Sequence, residues 1–211
     1  MISTRDLSEL PDLDALRRLN CAQAALDAIL CPEWEFRYFS FHPQWGENQQ
    51  LALMRNGEGD DVLVVHHPAG ALLKGFAHEA PMAAQRPWPG LFADLPAPLR
   101  DLLEDEALST DATTFCCWRL RDAATWQTAT VETPPGDDPD GSRGLLVLFD
   151  GRPETYRRWA DNYYGRPLDA EAVAAVYAHR PLDSALVRRL HPGVDVEEVR
   201  REVAEIGYPV S

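Results

Sequence analysis

Four side chains of this 211-residue chain have the types that acid–base or metal chemistry uses: His66, His67, His78 and Glu79. Imidazole and carboxylate bind zinc and carry protons in hydrolysis, and a hairpin could bring residues 66 and 78 close. Spacing narrows the field. His66 and His67 are neighbours on a segment that reads as a strand, so their side chains leave opposite faces and could not join one site. The spacings His-x-x-x-His and His-Glu-x-x-His are absent, and neither a metal site nor a cofactor is expected. His78 with Glu79, opening a proline-rich stretch, remains as the catalytic candidate. An ordinary loop hydrogen bond is its simpler reading.

Nucleophile signatures are missing. There is no Gly-x-Ser-x-Gly elbow, and the phosphate-cradling loops Gly-x-x-x-x-Gly-Lys and Gly-x-Gly-x-x-Gly do not occur. Cys21 and Cys31 lie ten apart on a predicted helix, about 15 Å along its axis, beyond the roughly 4.4–6.8 Å that a disulfide spans. Cys116 and Cys117 are strand neighbours facing opposite ways. All four thiols are expected to be reduced, and strand burial argues against a nucleophilic thiolate at 116 or 117.

Recognition chemistry has more to work with. In Arg86-Pro87-Trp88-Pro89-Gly90 a tryptophan stands between two prolines beside an arginine, the composition of an interface anchor; the other reading is a plug that fixes the loop to the sheet. Two acidic clusters follow: Asp101, Glu104, Asp105, Glu106 and Asp111, then Glu132, Asp137, Asp138 and Asp140. Such clusters either keep a protein soluble or steer a basic partner toward it. The aromatic stripe Tyr156, Trp159, Tyr163, Tyr164 has helical spacing and reads as core.

The elements that must position these groups begin with a helix from about Asp12 to Leu30, whose stripe is Leu13, Leu16, Leu19, Leu26 and Ile29 and which Pro32 closes. Residues 34–41 read as a strand with Trp34, Phe36 and Tyr38 on one face. Further strands are predicted at 50–56, 61–67 and 70–76, joined by Asn56-Gly57-Glu58-Gly59 and Pro68-Ala69-Gly70 turns, which makes an antiparallel meander. Five prolines between Ala77 and Pro98 exclude a regular helix or central strand there, and so long a stretch reads as a binding or covering loop. A short helix around Leu99, Leu102 and Leu103 precedes strands near 114–121 and 125–132, a surface loop at 133–143 and a buried strand at Leu145–Phe149. A helix from about Pro153 follows. Three shorter ones share an entry signature, Leu168-Asp169, Leu182-Asp183 and Val194-Asp195, with a valine five positions after the first residue of each pair: Asp caps, the apolar pair staples, and Glu198 completes a capping box in the third.

These elements make an α+β domain over residues 1–211: an antiparallel sheet of five to seven strands, an N-terminal helix on one face and a C-terminal helical group. The chain has 34 acids and 20 bases, a net charge of −14. Residues 151–211 hold nine bases and ten acids, so the strand-rich 1–150 carries almost the whole excess. That surplus disfavours a nucleic-acid partner. No apolar run approaches the roughly 18 residues of a membrane helix, and Met1–Asp6 lacks a signal-peptide core, so a cytoplasmic protein is expected.

Several segments together resemble a family of uncharacterised bacterial cytoplasmic proteins: Met54–Asp60, Lys74–Glu79, Pro87–Gly90, Thr113–Trp118 and Asp150–Tyr156. The resemblance spans most of the chain and implies no catalytic residues. More loosely, a small acidic α+β protein of this build is similar to the SUKH superfamily of bacterial immunity proteins. Leu95-Pro96 before a short helix resembles that superfamily's Leu-Pro element, although here it follows the first strands. The expected function is therefore a non-enzymatic module that recognises a basic protein, as an immunity or regulatory partner, through Arg86, Trp88, Asp101, Glu104, Asp105 and Glu106. The alternative is a small-molecule hydrolase using His78 and Glu79, with or without a metal.

Overall fold

A computed structural model describes residues 1–211. The N-terminal helix α1 (Leu13–Leu30) is capped by Asp12, whose carboxylate accepts from the Ala15 N–H at 2.8 Å. Strands β1 (Phe39–Gly46), β2 (Gln49–Arg55), β3 (Asp61–His67), β4 (Gly70–Phe76), β5 (Phe115–Leu120) and β6 (Gln127–Thr128) form one sheet. It is an antiparallel meander in sequence order, so the α+β expectation holds. Two of its strands, 61–67 and 70–76, have the limits read from the sequence, because the Asn56–Gly59 turn precedes the first and the Pro68–Gly70 turn separates the two.

Alternation along the strands gives the sheet two apolar faces, and both are covered. On one, Phe39, Met54, Val62, Val64, Leu73 and Phe115 join a cluster with α1 and the C-terminal helices α4 (Pro153–Tyr163), α5 (Ala170–Tyr177), α6 (Ser184–Leu190) and α7 (Val196–Glu205). On the other, Leu51, Leu63, Val65, Leu72, Cys116 and Trp118 lie under Leu95, Leu99, Leu102 and Leu108. The proline-interrupted stretch is thus a cover, continued by the short helix α2 (Ala97–Arg100) and by single 3₁₀ turns at Asp101–Glu104 and Glu106–Leu108. Prolines suit a cover because they remove backbone donors that a segment outside the sheet could not pair.

Helix α1 is more deeply enclosed than its leucine stripe predicts. Every residue from Leu19 to Leu30 is buried, since the sheet packs on one side and α5, α6 and α7 on another. Ala22, Ala24, Ala25 and Ala28 permit that close approach. The helix also carries Asn20, Gln23 and Asp27 into the interior.

The three repeated caps form. Asp169 accepts from the N–H groups of Glu171 and Ala172, Asp183 from Leu186, and Asp195 from Glu197 and Glu198. The Glu198 side chain makes no return bond, so only half of the capping box is present.

Three strand expectations fail. Trp34–Phe36 is a 3₁₀ turn, with Trp34 52% and Phe36 62% exposed. Strand β2 ends at Arg55, whose N–H bonds the Tyr38 carbonyl, so residues before 38 have no neighbour to pair with. The second hairpin strand shrinks to Gln127–Thr128. Leu145–Phe149 is helical: α3 (Ser142–Leu145) runs into a 3₁₀ turn at Leu146–Phe149. Asp140 accepts from Ser142 N–H, and Asp138 from Arg143 and Gly144, which starts a helix where five apolar residues alone read as strand.

Candidate functional site

The sheet register separates the histidines. His66 pairs with Ala71 and Asp61 with Phe76, so His78, just past β4, sits at the opposite end of β3 from His66. No hairpin brings 66 and 78 together. His78 instead meets Asp60: its ring Nδ1 is 2.7 Å from Asp60 Oδ1, and its backbone N–H donates to the same oxygen at 2.8 Å. The other carboxylate oxygen accepts from Asn56 Nδ2 at 2.7 Å. Glu79 is almost fully exposed, its carboxylate 3.9 Å from His78 Nε2.

The electrostatics follow from that geometry. The hydrogen bond to Asp60 raises the His78 pKa above the ordinary histidine value. Burial alone would raise Asp60, but the bonds from His78 and Asn56 outweigh it and hold the carboxyl below its usual range. That bond commits Nδ1 to Asp60, and the raised pKa favours the protonated ring, whose two nitrogens are both donors. None of the five main clefts is lined by His78 or Glu79. The pair staples the β2–β3 turn to the end of β4, and Asp60, which residue types and spacing did not nominate, is the residue that organises it. Its only signal in the chain is position, directly after the Gly57-Glu58-Gly59 turn.

The thiols stay where strand alternation puts them. All four are free; Cys116 and Cys117 are buried on opposite faces, and burial pushes Cys116 up to about 12 and Cys21 up to about 11. No three His, Cys, Asp or Glu side chains converge as a metal site would require.

The residues expected to serve recognition lie on the cover. Asp101, Glu104, Asp105 and Glu106 are all exposed on and between its two 3₁₀ turns, with Leu102 and Leu108 buried beneath them. Asp105 also caps its turn, accepting from Ala107 N–H at 3.0 Å. Lys74, the only lysine, is buried under this segment and donates to the carbonyls of Ser109 and Ala112 at 3.2 and 2.8 Å. Trp88 is half-buried, and its indole N–H donates to the Glu132 carbonyl at 2.8 Å. The Arg86 guanidinium lies 4.6 Å from the Phe76 ring centroid. Both side chains hold the cover against its neighbours. Asp140, counted with the second acidic cluster, is buried and accepts from Ser142 N–H and the Thr4 hydroxyl.

No helix of the chain is long and apolar enough to cross a membrane. Neither a protein-family model, nor a curated protein, nor a solved structure matches the chain.

Proposed function

We propose that this protein is a non-enzymatic binding module whose acidic cover recognises a basic protein. One observation carries the reading: no carboxylate between Ala80 and Asp150 takes part in an ion pair. On the C-terminal helices the opposite holds, where Glu154, Asp161, Asp169, Glu171, Glu197 and Glu202 each pair with an arginine. The acids of residues 80–150 are therefore left without ion-pair partners and free to act at a distance. An unscreened face of one sign speeds encounter with a partner of the other sign, over a Debye length of about 8 Å at physiological salt. The sequence resemblances extend the proposal to a bacterial cytoplasmic protein acting as an immunity or regulatory partner.

The test is co-purification from the native cell at low salt, then association kinetics with the recovered partner. Association is expected to slow with salt and with the combined change Asp101→Asn, Glu104→Gln, Asp105→Asn, Glu106→Gln. Asn at 105 keeps the cap, so the fold is not at issue. A partner indifferent to both salt and these four changes, or recovery of no basic partner, would reduce the acidic cover to a solubility device.

A further inference from the structure

At the end of the sheet opposite His78, a cleft of 510 Å³ opens between α1, the β1–β2 turn and the β3–β4 turn. Its volume falls within the roughly 300–1,000 Å³ of small-molecule sites, which are usually apolar. This one is lined by no hydrophobic residue. We propose that the cleft binds a small hydroxylated anion, an organic phosphate or carboxylate, between Arg17, Arg121 and the two histidines His66 and His67.

The cationic side chains here are uncommitted. Arg17 makes no ion pair and no hydrogen bond, and Arg121 uses only Nε, which donates to the Pro68 carbonyl at 3.0 Å. In a chain of net charge −14 whose C-terminal arginines are mostly paired, two open guanidinium groups on one cleft are an available anion fork. Asp14, on the same wall, is the one acid to be balanced.

The histidines are fixed in complementary roles. His66 is only 9% exposed, and its Nε2 is 3.0 Å from Asn20 Oδ1, which leaves Nδ1 without a partner. Burial, and then the charge of Arg17, pushes its pKa down to about 4, so the ring is neutral and the free nitrogen accepts. His67 Nδ1 accepts from the Ala69 N–H at 3.0 Å, which places its proton on Nε2 as a donor. Strand alternation sends the two rings to opposite faces, yet both border the cleft because it wraps the end of β3. Gln44, Asn48, Gln49 and Gln50 complete the lining with amide groups that make no side-chain bond within the protein. Charge for the anion, an acceptor for one hydroxyl and amides for the others together define the ligand class. This site stands apart from the acidic cover and does not depend on its reading.

The test is calorimetric titration of the full chain, at low ionic strength and millimolar ligand, with ribose 5-phosphate, inorganic phosphate, gluconate and neutral ribose. At least one anion is expected to bind saturably while ribose does not; ribose 5-phosphate alone would identify a phosphate ligand and gluconate alone a carboxylate. Arg17→Ala and Arg121→Ala should each weaken binding about tenfold, the loss of a charge-assisted hydrogen bond. Both residues are exposed, so the fold survives. Arg188→Ala, at an exposed arginine of α6 that does not line the cleft, should change nothing. Failure of all three anions, equal binding of ribose and ribose 5-phosphate, or binding that persists in the Arg17→Ala/Arg121→Ala double variant overturns the proposal.

Discussion

The Tyr156 hydroxyl donates to the fully buried carboxylate of Asp27 at 2.8 Å, across 129 positions of sequence. The second Asp27 oxygen accepts the N–H groups of Tyr38 and Phe39 at 2.9 and 2.8 Å. One side chain therefore fixes α1, the entry to β1 and α4 against each other. It is also why the residues before β1 bend into a turn instead of extending the strand: their donors are drawn to α1.

This junction makes stability depend on pH in an uncommon direction. Burial, opposed by the three hydrogen bonds, raises Asp27 to about 6. A carboxyl raised in the folded state binds more protons folded than unfolded, so its contribution is greatest below the unfolded value. It declines as pH rises through about 6. Asp27→Asn, whose amide can still accept from the two backbone groups, should fold and lose this slope in denaturant titrations between pH 4 and 6. Asp27→Ala leaves two buried N–H groups bare and should cost about 3 kcal/mol or more.

His78 offers a second titration. Its ring resonances should report a pKa above the ordinary histidine value in wild type and a return toward that value in Asp60→Asn. A His78 that titrates lower than a free histidine in wild type would mean that Asp60 does not hold it, and would revive the hydrolase alternative.

Arg37 binds the other end of the same junction. Its side chain is 4% exposed, forms a two-pronged ion pair with Glu202 of α7 and donates to the carbonyls of Cys31 and Pro32 at 2.7 and 2.9 Å. Arg37→Ala should lower stability by about 3 kcal/mol in urea unfolding, and Arg37→Lys should recover little, since one ammonium cannot span three acceptors in fixed directions.

Gly75 tests the packing of the sheet. A methyl group there would stand 2.1 Å from the Phe115 ring, which lies across the bare backbone of β4. Gly75→Ala should therefore destabilise by about 3 kcal/mol in thermal or urea unfolding, and Phe115→Leu in the same chain should recover part of the loss.

Thiol titration supplies the last check. Four free thiols should be counted in denaturant, whereas the folded protein should react first at Cys31, the least buried, and not at Cys116 or Cys117.

Strands 61–67 and 70–76, the first helix and the three Asp-capped helices are legible in the chain because their signals are local: turn glycines, capping carboxylates and apolar periodicity act within a few residues. The sheet's two-sided burial, the helical state of Leu145–Phe149 and the turn at Trp34–Phe36 are not. Each depends on a partner far along the chain, or on a cap competing with a short apolar run that fits either structure. The same division holds for the sites. Residue types nominate His78, Glu79 and the acids, and local charge counting finds the excess of residues 1–150. Only the tertiary structure decides that Asp60 claims His78, that the Trp88 indole bonds the Glu132 carbonyl, and that His66, His67, Arg17 and Arg121 border one cleft at one end of the sheet. Spatial neighbours are set by strand register, which long-range pairing fixes and no local pattern records.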